Sequence, residues 1–173
     1  MKMKNLISKW PLFLAFGAIM TFTSCKDDQP PVVPNPTVVD IALSDTSFSI
    51  LVAALQKADL VTTLSNTNAN FTVFAPTNTA FRNAGITAAA ISAFTPAEVT
   101  NVLTPILTYH VVGAKVNASG VPVSDTVKTV NGKNLYASNN ANGVFVNGIK
   151  VTTADLNASN GVVHVIGSVL IPP

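Results

Sequence analysis

Apolar positions recur mainly at helical spacing before Tyr109 and mainly at every second residue after it. Phe48, Leu51, Val52, Leu55 and Leu60 predict an amphipathic helix leading into a short second one, with Ser44, Asp45 and Thr46 as its N-cap candidates. Ser65–Asn70 is turn chemistry, and Phe71–Ala75 then reads as a strand, with Phe71, Val73 and Ala75 on one face and Thr72 and Phe74 on the other. Pro76 ends it. Thr77 or Asn78 can cap a helix carrying Ala80, Phe81 and Ala84, which Gly85 can close. Short helices continue through "ITAAAISAFTPAEVTNVLTPILTYHVVG"; Thr95-Pro96-Ala97-Glu98 starts one of them, and Val102, Leu103, Ile106 and Leu107 form its expected core face.

From Val111 onward the period is two. Short strands, "VVGAKV", "DTVKTV", "KNLYAS", "GVFVNGIKVTTADL" and "GVVHVIGSVLIPP", are separated by turns, of which Asn131-Gly132 and Asn147-Gly148 are the clearest hairpin signals. Helices first and strands afterwards predict an α+β domain rather than an alternating α/β one.

The N-terminus has a different pattern. Lys2, Lys4 and Lys9 precede an apolar stretch from Trp10 to Phe22, too short to cross a bilayer comfortably and followed by small residues before Cys25. Residues 1–24 are read as a signal peptide. "FTSC" resembles the lipobox of bacterial lipoproteins, which nominates Cys25 as a lipidated mature N-terminus. The three residues after it, "KDD", resemble a short signal that sends lipoproteins to the surface of the outer membrane in some Gram-negative lineages. Pro30, Pro31, Pro34 and Pro36 make residues 25–39 a semi-extended tether, and residues 40–173 form the globular domain. That domain, 134 residues long, is enough to bury about two-thirds of its unfolded surface in one core.

Charge narrows the partners. Removing residues 1–24 takes away three lysines and no acid, so the formal charge of +2 becomes −1 and no basic cluster remains for nucleic acid. The single cysteine excludes an internal disulfide or a CxxC site. His110 and His164 have no companions at metal-ligand spacing, so neither a metal nor a cofactor is expected. Ser159 or Ser168 with His164 and Asp155 is a formal nucleophilic set, but GxSxG is missing and no catalysis is expected.

Three segments in order, "FTVFAPTNTAF", "LTYHVVG" and "NGVVHVIGSVLIPP", resemble the fasciclin-like (FAS1) family. Family members often carry an acidic residue where Thr79 stands and an Asp where Gly167 stands. The resemblance implies a wedge of two β-sheets with helices alongside, and a role in extracellular adhesion. It makes Pro76, Thr77, Asn78, Asp155, Asn160, Gly161 and His164 structural signature positions. It nominates Tyr109 and His110 as a candidate binding pair, because the matching segment of some animal members is implicated in receptor contact. Apolar flanks give the same pair a structural explanation. The expected partners are a membrane, through Cys25, and an unidentified surface protein or polysaccharide. The alternative is a carrier or sensor of a small hydrophobic ligand, with the alanine-rich "ITAAAISAF" lining a groove. Asp125-Thr126-Val127 resembles an O-glycosylation triplet of exported bacterial proteins.

Overall fold

The computed structural model describes residues 35–121 and 123–173. The expected signal peptide, Cys25 and the tether up to residue 34 lie outside the described residues.

The fold starts earlier than the sequence pattern indicates. Helix α1 spans Val38–Ser44, and its capping box is complete: Thr37 caps the Asp40 N–H while the Asp40 carboxylate accepts from the Thr37 N–H at 2.8 Å. Val38 and Val39 are buried. The boundary expected at residue 40 therefore falls inside a packed helix, because Pro36 precedes the cap and does not interrupt the turn that follows. A 3-10 turn, Thr46–Phe48, capped by Asp45, leads into α2, Ser49–Lys57, and then α3, Val61–Leu64.

Strand β1, Phe71–Pro76, passes into α4, Asn78–Asn83, with Thr77 as N-cap. Gly85, at φ 76, follows that helix. Burial of Phe81 at 1% exposure fixes α4 on the core and contributes roughly 2–3 kcal/mol. Helix α5, Ala88–Ala93, inserts only Ile91 fully.

The next helical run is α6, Pro96–Glu98, a π turn Val99–Leu103, and α7, Thr104–Tyr109. Pro105 accounts for the π turn: it has no N–H, and its ring crowds the carbonyl one turn back, so the Thr104 N–H reaches Val99 instead. The wider turn rotates Val102 away from the core face expected for it. Val102 is exposed, whereas Leu103 and Leu107 are buried.

Strands β2 (Val111–Val112), β3 (Asp125–Lys128), β4 (Asn134–Asn140), β5 (Gly143–Val146), β6 (Ile149–Ala158) and β7 (Gly161–Ile166) complete the chain. Sheet order is β2-β1-β7-β6-β5-β4-β3, with β1 parallel to β7 and every other neighbour antiparallel. Strand β6 belongs to both halves. Its first residues pair with β5 and the rest with β7, and bulges between Val151 and Leu156 bend it. A bridge between Val112 and Thr129 brings the two sheet edges together, so the sheet folds into a nearly closed wedge.

Two cores result. Val73, Ala75, Val163 and Val165 face the helices, with Leu51, Leu55, Phe81 and Leu107. Phe74, Leu135, Ala137, Val146, Ile166 and Leu170 fill the wedge. Strands β1 and β7 are thus covered on both faces, which is why β7 is buried throughout. Asn147, at φ 48, and Gly148, at φ 78, make the two-residue β5–β6 turn that the sequence announces. Between β3 and β4 the loop is longer, closed by Thr129 N–H to the Lys133 carbonyl with Gly132 at φ 86.

Candidate functional site

Four of the polar residues marked by the sequence, Tyr109, His110, Asn160 and His164, are buried staples between segments distant in the chain. Tyr109, at the end of α7, is 1% exposed; its hydroxyl donates to the Asn134 carbonyl at 3.0 Å and accepts from Asn147 Nδ2 at 2.8 Å. It pins the open end of the β4–β5 hairpin, where β4 begins and the β5–β6 turn follows. His110 is 2% exposed. Its Nδ1 lies 2.7 Å from the Ile106 carbonyl and carries the proton, and Nε2 accepts from the Leu170 N–H at 2.9 Å. Burial pushes the imidazole down to about 4, against the smaller upward pull of the Ile106 carbonyl. The pair nominated for binding is therefore covered by the protein's own C-terminal segment and hairpin loops.

His164 faces the wedge and stacks on Phe74 with ring centroids 5.6 Å apart. Its Nδ1 accepts the Asp155 N–H at 3.2 Å and its Nε2 donates to the Val116 carbonyl at 2.9 Å. Asp155 occupies the β6 bulge at φ 59 and turns its carboxylate to the Ala118 N–H at 2.8 Å. An acid–histidine pair is not formed: Asp155 meets His164 through its backbone. Ser168 is exposed, and neither it nor Ser159 bonds His164. Thr72, which the sequence pattern marks only as a strand residue, donates to the Ala114 carbonyl at 2.6 Å and accepts from the Val116 N–H at 2.8 Å. Thr72, His164 and Asp155 together fasten residues 114–118 across the wedge.

Asn160 has no exposure; it accepts from the Val38 N–H at 2.9 Å and donates to the Leu64 and Asn66 carbonyls at 2.7 and 3.1 Å. Gly161 follows because a Cβ there would sit 2.0 Å from the Phe71 carbonyl oxygen. Asn78 does the same for the helices: it accepts from the Ile50 N–H and donates to the Thr46 carbonyl, both at 2.9 Å. Thr77 caps α4 through Ala80, and Pro76 ends β1 opposite Ile166. Thr126 is exposed on the edge strand β3.

Among the described residues every buried side-chain polar atom has a hydrogen-bond partner, and no three metal-ligating side chains converge. The alanine-rich segment borders a shallow surface depression with Ala53, Gln56, Lys57, Ile91 and Ser92. Inside the wedge, Phe74, Val112, Val144 and His164 line an apolar cavity of about 20 Å³, room for one water rather than a ligand.

Residues 46–172 match the family described as Fasciclin, Fasciclin domain. Protein sll1483 of Synechocystis sp. is 44% identical over 137 residues, which cover 79% of this chain and 74% of that protein. Transforming growth factor-beta-induced protein ig-h3 of Oryctolagus cuniculus is 38% identical over 81% of this chain, but the match spans only 20% of ig-h3. Immunogenic protein MPB70 of Mycobacterium bovis is 32% identical over 76% of this chain and 67% of its own length. Among solved structures, a FAS1 domain pair from the insect cell adhesion molecule Fasciclin I superposes with a TM-score of 0.66 at 20% identity, covering 79% of this chain and 51% of that one. At that identity the likeness concerns the fold.

Proposed function

The chain belongs to the fasciclin domain family, and from that premise we propose that it is an extracellular binding module, lipid-anchored at Cys25, that adheres to a surface protein or polysaccharide without performing a reaction. The observation that carries this reading is the full commitment of the interior polar groups. Both imidazoles spend both nitrogens on backbone partners, so neither is available as a general base. Function is thereby left to the surface. Membership of the fasciclin domain family, whose resemblance implies extracellular adhesion, supports an adhesive role. The lipobox-like "FTSC" and the following Lys26-Asp27-Asp28 support export to the outer membrane and lipid attachment there. The carrier alternative has less support, because the alanine-rich segment borders only a shallow depression open to solvent, not an enclosing pocket, and the cavity inside the wedge has room for about one water.

A strain lacking this protein tests the proposal. Its attachment to wells coated with matrix protein or polysaccharide is expected to fall below that of the parent and to return on complementation. Attachment equal to the parent on every coating would overturn the reading.

A further inference from the structure

The outward face of β3–β6 gathers aromatic, hydroxyl and lysine side chains. Register places Thr126 opposite Tyr136, Ser138 opposite Phe145, and Phe145 opposite Lys150, all on the side away from Leu135, Ala137 and Val146. Tyr136 and Phe145 are then diagonal neighbours on adjacent strands, roughly 7–8 Å apart. Tyr136 is 50% exposed. Its hydroxyl is paired with Ser124 Oγ. Phe145, partly exposed, packs against neither core. The Lys150 side chain crosses the same face toward Gly143.

Charge is divided in the same direction. Among the described residues, 35–110 hold Lys57 and Arg82 against Asp40, Asp45, Asp59 and Glu98, whereas 111–173 hold Lys115, Lys128, Lys133 and Lys150 against Asp125 and Asp155. Side chains therefore give −2 to the helical half and +2 to the strand half. Lys57 and Lys133 bond the carbonyls of Ser92 and Pro173; Lys128 and Lys150 make no such bond among the described residues. Lys128 stands at the same end of β3 as Asn134 does of β4.

We propose that this face is a binding platform for a linear acidic polysaccharide. Sugar rings stack on Tyr136 and Phe145, their carboxylate or sulfate groups meet Lys128 and Lys150, and their hydroxyls bond Thr126 and Ser138. Aromatic faces take the apolar side of a sugar ring. The positive half selects against neutral chains. This inference rests on the adhesive reading above and names its partner class.

The test titrates the purified full-length chain, in detergent, with polygalacturonate, dextran sulfate and neutral dextran at low and high salt. Binding to at least one acidic polymer and none to dextran is expected; which polymer binds separates carboxylate from sulfate recognition. Tyr136→Ala should weaken binding about tenfold, the scale of one central aromatic contact, at an unchanged melting temperature. Tyr136→Phe, which keeps the ring, should retain most of it. Lys128→Gln with Lys150→Gln should flatten the salt dependence. Unchanged affinity in Tyr136→Ala, equal binding of dextran, or no binding of either acidic polymer overturns the platform. Beads coated with the wild-type chain separate the two claims: if they still attach to matrix protein when the platform fails, adhesion stands without it, and if they attach to nothing, both fall.

Discussion

At His110 two effects oppose each other: removal from water disfavours the imidazolium, and the Ile106 carbonyl beside Nδ1 favours it. Burial prevails. The folded value, about 4, lies below the ordinary value of 6.5, so the unfolded chain takes up a proton first as pH falls. Stability is unaffected above 6.5 and declines between 6.5 and about 4, by roughly 3 kcal/mol in all. Urea midpoints at pH 7.5 and 4.5 should show the decline. His110→Gln is expected to be less stable at pH 7.5 and to lose most of the difference, and an equally steep profile in that variant would assign it to other groups. The histidine's neighbours in sequence, Leu107 and Val111, already argue for burial. What they cannot specify is the partner of Nε2, the Leu170 N–H, because it arrives from 60 residues away.

Elements were legible wherever a local period or cap marks them. The strand-to-helix passage Phe71–Asn83 follows from Pro76, the Thr77 cap and Phe81, and the β5–β6 turn from Asn147-Gly148. Helix α1 was hidden by the prolines before it, although Thr37 and Asp40 stand at capping-box spacing. Thr37→Ala removes one cap and is expected to cost about 1 kcal/mol, read as a lower melting temperature; no change would mean that α1 is held by Val38 and Val39 alone. The exposure of Val102 follows from the π turn ahead of Pro105, a shift that a regular helical period misses. Likewise "VVGAKV" yields only two strand residues, because Thr72 and His164 hold residues 114–116 with side chains where a ladder would otherwise run.

For the whole molecule, the proposed anchor makes a separate prediction. Cys25→Ala should move the protein from the membrane pellet to the soluble fraction, while its melting temperature stays the same, since residue 25 lies before the folded domain; a variant retained in membranes would refute lipid attachment. The sequence by itself determined the α+β class, the order of helices before strands and the turns, and it marked several of the polar residues found at junctions though not Thr72, since periodicity, caps and Gly or Asn turns are local properties of the chain. Tertiary structure alone decided what those polar residues do. Asn160 joins α1, the end of α3 and β1; Tyr109 and His110 turn inward; and Tyr136 and Phe145 come side by side on an outer face. The reason is physical: a hydrogen bond or a stacked pair depends on which strands become neighbours, and strand register is set only when the sheet closes around its two cores.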